Sequence, residues 1–140
     1  MASKSVFADT SFFFALVAKR DPAHQAAVSA YAKLLRARCR VVTTDYIIDE
    51  TLTLTKARIS AETALALLDR IETSEAITLE DITDRRFSAA KAFFRKHADH
   101  GYSFTDCTSF VLMNELEQTA ALTTDRHFIE AGFQALLPVA

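Results

Sequence analysis

The sequence SVFADTSFFFALV, at positions 5–17, changes its hydrophobic pattern at Asp9. A short apolar run precedes this aspartate, and the hydroxyls of Thr10 and Ser11 can cap a helix that begins with three phenylalanines. The pattern predicts a buried strand followed directly by a helix. Asp9 would then lie at the junction between the two elements.

The rest of the chain continues this alternation of strands and helices. Strands are predicted at 40–44, 76–79 and 120–123, with 135–139 as a closing strand or tail. Helices are predicted at 21–38, from Asp45 through Leu54, at 63–71, at 81–96, from Asp106 through Leu116, and as one turn near Gly132. Because no hairpin signal separates the strands, we predict an α/β domain with a mostly parallel central sheet.

Composition limits the class of protein. The 140 residues are half hydrophobic and include only two glycines and two prolines, which predicts one compact domain over residues 1–140. The net charge of −2 and the pI of about 6.1 lack the basic balance of a non-specific nucleic-acid binder. Acids gathered in one cleft would nevertheless conceal, in the net charge, basic patches elsewhere.

Basic residues cluster at 33–40 and at 85–96. Either cluster is a candidate to bind an RNA backbone, and the alternative is a helix face exposed to solvent.

Cysteine usage and the N-terminus indicate an intracellular protein. Cys39 and Cys107 match no zinc-site spacing, so both are predicted to be reduced, buried side chains. The apolar residues 1–18 are interrupted by Lys4 and Asp9, so they have neither the order of a signal peptide nor the length of a membrane span. We therefore expect a cytoplasmic location without membrane association.

Acidic residues recur where one element gives way to the next. Asp9 and Asp125 each follow a predicted strand, and parallel strands bring their carboxyl ends to one edge of a sheet. Asp106 shares a helical face with Phe110 and Met113, which draws its carboxylate toward the sheet. Glu50 shares a face with apolar residues of its own helix in the same way. All four acids are expected at the border between the core and a cleft.

Four carboxylates at close range raise one another's pKa, and a divalent cation reverses that cost. Oxygen ligands without histidine or cysteine at matching spacing select a hard ion such as Mg²⁺ or Mn²⁺, which can activate water for attack on a phosphate ester. The alternative is that Asp9 and Asp106, like Asp45 and Asp81, only cap helices, because acids are common in first turns.

Four stretches, taken together, resemble the PIN-domain nucleases and in particular the VapC-like toxins of bacterial and archaeal toxin–antitoxin pairs. They are VFADTS at 6–11, DETL at 49–52, SFTDC at 103–107 and LTTDRHF at 122–128. Their order matches the family's, and they cover essentially the whole chain. Any one of these motifs is weak alone, whereas four in order are fairly specific.

The resemblance implies a three-layer α/β/α fold and a Mg²⁺- or Mn²⁺-dependent endoribonuclease. It places Asp9, Glu50, Asp106 and Asp125 on the family's acidic metal-site and catalytic positions, with Asp125 suited to act through water. Thr10 and Ser11 fall beside the first acid, where a hydroxyl can bond a carboxylate or a bound water. The family also implies an RNA substrate, a homodimer and a cognate antitoxin whose C-terminal segment blocks the cleft.

Two other functions remain open on the sequence alone. A phosphoryl-transfer protein of the phosphatase or receiver kind also places an aspartate after its first strand, but it wants a second aspartate where Ser11 stands, or a lysine after a late strand. A catalytically silent module with the same fold would bind a partner or RNA without cleaving it. His127 could contact phosphate near Asp125, although a packing or surface role is at least as well supported.

Overall fold

The computed structural model describes residues 4–139. Its strands are β1 Ser5–Ala8, β2 Arg40–Thr44, β3 Ile77–Glu80, β4 Ala120–Leu122 and β5 Gln134–Ala135. The helices in this part of the chain are α1 Thr10–Val17, α2 His24–Arg36, α3 Asp45–Arg58, α4 Ala61–Thr73, α5 Asp84–Lys96, α6 Phe104–Glu115 and α7 Arg126–Glu130. Residues 1–3 and 140 lie outside the description, so the predictions of a leader-free N-terminus and of a 1–140 domain extend beyond it.

The five strands form one parallel sheet in the order β3-β2-β1-β4-β5. The chain therefore crosses from β1 to β2 and β3 in one direction and then returns to β4 on the other side of β1. Because strand–helix–strand crossovers are right-handed, the helices that connect strands in one direction across the sheet lie on one face, and those that connect strands in the other direction lie on the other face. Helices α1 to α4 pack against one another on one face, and α5 to α7 pack together on the other. The predicted α/β/α fold is confirmed.

An aromatic cluster fills the core beneath β1 and β4. Phe7, Phe110 and Phe128 are fully buried, and the ring of Phe128 lies 6.3 Å from Phe7 and 4.9 Å from Phe110. Phe12 and Phe13, two of the three consecutive phenylalanines, are also buried. Apolar burial of this extent holds β1, α6 and α7 in fixed relation around the carboxyl edge of the sheet.

One helix cap and one helix start differ from the sequence prediction. Thr44, not Asp45, caps α3, because the Thr44 hydroxyl accepts a hydrogen bond from the backbone N–H of Ile47 at 3.1 Å. Asp45 Oδ1 instead accepts from the N–H of Ile82 at 2.9 Å, which holds residues 81–83 outside the next helix. Helix α5 therefore begins at Asp84 rather than at Asp81, with Thr83 as its cap.

Smaller differences have similar local causes. Helix α2 begins at His24 because Asp21 Oδ1 accepts from the N–H of Ala23 at 2.8 Å and closes a turn around Pro22. Cys107 is buried and reduced as predicted, whereas Cys39 is reduced but only half-buried. Within residues 4–139, no helix combines the length and the apolar character that crossing a bilayer requires.

Candidate active site

The carboxyl edge of the sheet has its switch point between β1 and β4, the strands from which the chain departs in opposite directions. Ligands of open α/β sheets bind in the crevice at such a point. A cavity of about 450 Å³ opens there. All six residues that the sequence singles out line it, namely Asp9, Thr10, Ser11, Glu50, Asp106 and Asp125, joined by Leu54, Gly101, Ser103 and His127.

Asp9 is the most buried of the four acids. Its residue is 6% exposed, and its Oδ2 accepts hydrogen bonds from the hydroxyls of Ser11 at 2.9 Å and Thr123 at 3.0 Å. Burial raises the pKa of Asp9 to about 7, against the two hydroxyl bonds, which lower it, and with a smaller contribution from the charges of Asp106 and Asp125. Without a cation, this carboxyl group is expected to hold its proton up to near-neutral pH.

Asp106 is fixed by the first turn of α6. Its backbone N–H donates to the Ser103 hydroxyl at 3.0 Å, and its Oδ2 accepts from the Ser103 N–H at 3.0 Å, which completes a reciprocal capping box. Burial raises the pKa of Asp106 even though the Ser103 bonds lower it, and the charge of Asp125 adds to the rise. The side chain is thus held rigidly at the cavity wall with a destabilised negative charge.

Asp125 and His127 line the cavity beside Asp106. Asp125 Oδ1 caps α7 by accepting from the His127 N–H at 2.9 Å. The ring atom Nδ1 of His127 lies 3.2 Å from Asp125 Oδ1 and 3.4 Å from Asp106 Oδ2. Nδ1 is buried, yet within the described residues neither contact has the geometry of a hydrogen bond. A polar atom in this state, aimed between two carboxylates, is suited to ligate an ion.

Glu50 and Thr10 line the cavity but form no hydrogen bond with the other acids among the described residues. Glu50 projects from α3 into the cavity rim and is exposed. Thr10 is buried, and its hydroxyl accepts from the Thr51 hydroxyl at 3.3 Å, so it joins α1 to α3 rather than bonding Asp9. Ser11, in contrast, bonds Asp9 as the sequence suggested for a residue at that position.

The donor set fits a divalent cation. One ligand atom each from Asp106, Asp125 and His127 lie within 4.8 Å of one another. These are oxygen and nitrogen donors on relatively rigid elements, and burial already disfavours the charge on Asp9 and Asp106 in the absence of a compensating ion. Among residues 4–139, no lysine or arginine lines the cavity. A cation is the charge that this arrangement lacks.

Sequence reasoning missed two residues. Thr123 lies just after β4 and bonds Asp9, a contact between residues 114 positions apart that no local pattern reveals. His127 was noted beside Asp125 but not included among the site residues. The signal was its place two residues after an acid at a helix start, which turns its ring back over that acid.

Comparison with known proteins agrees with this architecture. The sequence model of the PIN domain matches residues 6–134. The chain belongs to the PIN domain family. It is 31% identical over 133 residues to the 23S rRNA-specific endonuclease VapC20 of Mycobacterium tuberculosis, in strains CDC 1551 / Oshkosh and ATCC 25618 / H37Rv, covering 95% of this chain and 98% of the relative.

Three solved structures superpose on most of the chain. The crystal structure of M. tuberculosis VapC20, described as a sarcin-ricin loop cleaving toxin, matches with a TM-score of 0.84 and 30% identity over 95% of this chain and 99% of that one. VapBC2 of Rickettsia felis, bound to a DNA fragment from its promoter, matches with a TM-score of 0.69 at 8% identity, covering 94% and 96%. FitAcB of Neisseria gonorrhoeae matches with a TM-score of 0.58 at 12% identity, covering 93% and 94%. The last two show a shared fold.

Proposed function

We propose that this PIN domain is an endoribonuclease that hydrolyses RNA phosphodiester bonds with Mg²⁺ or Mn²⁺ and serves as the toxin of a toxin–antitoxin pair. The observation that carries the proposal is the convergence of Asp9, Glu50, Asp106 and Asp125 in one cavity. A relative of nearly the same length, 31% identical, is a 23S rRNA-specific endonuclease. Ribosomal RNA is therefore the first substrate to test.

Several residues that line the cavity would supply the ligands of the cation. Asp9, Asp106 and Asp125 would supply carboxylate oxygens, with Glu50 at the rim, and His127 Nδ1 would supply a nitrogen. A nitrogen among the oxygens favours a transition-metal ion such as Mn²⁺ over Mg²⁺. When bound, the cation would lower the pKa of water and stabilise negative charge on the phosphate.

The protein itself would position these groups. The Ser11 and Thr123 hydroxyls hold Asp9 Oδ2 in place, and the capping box holds Asp106. Such supporting hydrogen bonds orient ligands and keep a site preorganised. No serine, cysteine or lysine nucleophile is required, because in this proposal water attacks the phosphorus and no RNA becomes covalently attached to the protein.

The proposed partners follow from the same family. A cognate antitoxin would block the cavity with its C-terminal segment, and two copies of the chain would form a homodimer in the cytoplasm. The structural neighbour from R. felis is a VapBC2 complex, which supports looking for a second small protein. Co-expression with a neighbouring reading frame, followed by size-exclusion chromatography, tests both the antitoxin and the dimer.

A cleavage assay tests the proposed activity. Purified protein is incubated with bacterial ribosomal RNA in Mg²⁺ or Mn²⁺, and again with EDTA. Cleavage at discrete positions that depends on the ion supports the proposal, and substitution of Asp106 by asparagine should abolish it while the circular dichroism spectrum stays unchanged. Metal-dependent cleavage retained by the Asp106→Asn protein would overturn the assignment.

The two alternative functions predict different results. A phosphoryl-transfer protein would form a phospho-aspartate at Asp9, detectable by mass spectrometry after reaction with a small phosphodonor. In the part of the chain that the structure describes, no lysine lines the cavity, which makes this chemistry less suited to the site. A silent module would bind RNA without a cation requirement and leave every RNA of a panel intact.

A further inference from the structure

The two basic clusters of the sequence contribute no residue to the acidic cavity. Arg86 is held by Glu80 at 3.0 Å and by Glu115 at 2.6 Å. Arg40 donates to the Thr78 hydroxyl at 2.6 Å. Arg40 and Arg86 are therefore already engaged by neighbouring side chains within the fold.

A second cavity, of about 640 Å³, lies beyond the acidic one. Its apolar surface comes from Phe14 and Val17 of α1 and from Ile59, the residue after α3. Phe14 is only half-buried, unlike Phe12 and Phe13 before it. This aromatic side chain presents part of its surface to the cavity instead of to the core.

The two cavities follow the same pair of helices, α1 and α3, which pack against each other. On α1, Thr10 lines the acidic cavity and Phe14, one turn later, lines the second. On α3, Leu54 lines the first cavity and Arg58, one turn later, lines the second. Eight residues from Glu50 to Arg58 span about 12 Å along a helix. We name the two cavities together the α1–α3 groove.

The far end of the α1–α3 groove is positively charged. Lys19, Arg20 and Arg58 line it, are exposed, and form no ion pair with any residue in 4–139, while Asp21 is the acid beside them. Asp21 already accepts a hydrogen bond from the N–H of Ala23. The groove thus runs from a cation-binding acidic end to an end where three positive side chains surround an apolar floor.

We propose that the α1–α3 groove holds the single-stranded segment of the substrate RNA that flanks the scissile phosphate. Its phosphates contact Lys19, Arg20 and Arg58. One of its bases stacks on the ring of Phe14. The proposal rests on the proposed endoribonuclease function. Cations paired with an aromatic face are the combination that binds single-stranded nucleic acid without sequence readout. A segment of an antitoxin is the competing occupant.

The test measures how RNA binding depends on salt. A fluorescein-labelled single-stranded RNA is titrated with protein at several salt concentrations, in an Asp106→Asn background that prevents cleavage. The plot of log K against log salt has a negative slope, and each lost phosphate contact on a single strand reduces the magnitude of that slope by about 0.7. The triple variant Lys19→Ala/Arg20→Ala/Arg58→Ala should therefore reduce it by about 2. The matched control is Arg36→Ala/Arg38→Ala/Arg85→Ala, three exposed cations outside the groove, which should keep the wild-type slope.

Each result decides the question. A slope unchanged by the groove substitutions, in a chain whose wild type cleaves RNA, overturns the groove and leaves the proposed function standing. A wild type that cleaves no RNA overturns the proposed function instead. If the groove variant binds RNA normally but loses the co-expressed antitoxin, the groove is a protein-binding site and the proposal is wrong. A reduced slope with unchanged melting temperature supports it.

Discussion

The hydroxyl of Thr123 donates a hydrogen bond to Asp9 Oδ2 at 3.0 Å, and Thr123 Oγ1 itself accepts one from the backbone N–H of Asp125 at 3.0 Å. A single side chain thereby couples two of the acids that line the cavity. Thr123 is fully buried, so neither bond is exposed to competition from bulk water. The side chain is expected to set the position of the carboxylates rather than to touch RNA.

Replacing Thr123 by valine should lower activity because it removes these two hydrogen bonds, and a third with the Ser11 hydroxyl at 3.2 Å, at nearly constant shape. Loss of such a supporting bond costs about 10- to 100-fold in metal affinity or activity. Cleavage rate and Mn²⁺ affinity by calorimetry check this. Thr55→Val is the matched control, since the buried Thr55 hydroxyl has no partner within the described residues and its loss should leave the protein unchanged or more stable. Equal activity in the two variants would contradict the role of Thr123.

A methyl group at position 101 should disturb the cation site through His127. A Cβ on Gly101 would stand 3.1 Å from His127 Nε2, so the ring must shift. We expect Gly101→Ala to weaken Mn²⁺ binding by about tenfold, in the range seen for outer-shell changes, with little change in melting temperature. His127→Ala should weaken it similarly, and adding Gly101→Ala to that variant should cost nothing more. Additive losses would show that the two positions act independently.

The pKa of Asp9 predicts how stability changes with pH in EDTA. Burial raises it from 3.8 to about 7, so between these values the folded chain holds a proton that the unfolded chain has released. The free energy of unfolding therefore falls as pH rises through this window, by at most about 4 kcal/mol at about 1.4 kcal/mol per pKa unit.

Urea denaturation of the wild type and of Asp9→Asn, compared from pH 4.5 to pH 8, measures this term. The asparagine variant should gain stability relative to the wild type as pH rises, because it cannot lose that proton. Excess Mn²⁺ should remove the trend in the wild type, since the cation replaces the proton on the carboxylate. A difference between the two proteins that does not vary with pH would contradict the assigned shift.

The sequence predicted the parallel sheet and the junction at Asp9 because local patterns determine both. An apolar run that stops at an acid, followed by capping hydroxyls, reports on its own backbone. The start of α5 was wrong for a non-local reason, since the hydrogen bond from Ile82 to Asp45 joins two segments far apart in the chain. Tertiary contacts of this kind override a local helix signal.

The residues of the candidate site also fall into those that local sequence reveals and those that only tertiary packing brings together. The four acids are recognisable because each stands at an element boundary within a family motif. Thr123 is not, because its function depends on β4 lying beside β1. Lys19, Arg20 and Arg58 form no cluster in the sequence, and only the packing of α1 against α3 brings them to one groove.

Arg86 is predicted to be a determinant of stability rather than of catalysis. Its guanidinium donates to both Glu115 oxygens, at 3.1 and 2.6 Å, and to Glu80, which joins α5 to α6 and β3. These contacts raise the pKa of Arg86 and lower that of Glu115. Removing the charge-assisted hydrogen bonds with Arg86→Ala should lower the free energy of unfolding by about 1–3 kcal/mol.

Urea denaturation at pH 7 checks this, with Arg85→Ala as the matched control. The Arg85 side chain is 81% exposed and lies 3.5 Å from Glu115, so its loss should be close to neutral. RNA cleavage per folded molecule should be the same in both variants. Equal destabilisation by the two substitutions would show that the hydrogen bonds of Arg86 stabilise the fold no more than the exposed contact of Arg85.

We propose that Asp9, Asp106, Asp125 and His127 bind one divalent cation in the folded chain. Crystals soaked in MnCl₂ and measured near the manganese absorption edge locate the ion directly. We expect an anomalous peak within ligating distance of Asp9, Asp106, Asp125 and His127 Nδ1 that is lost in crystals of Asp106→Asn. Soaked crystals with no peak in the cavity, or with an equal peak in the variant, would contradict it.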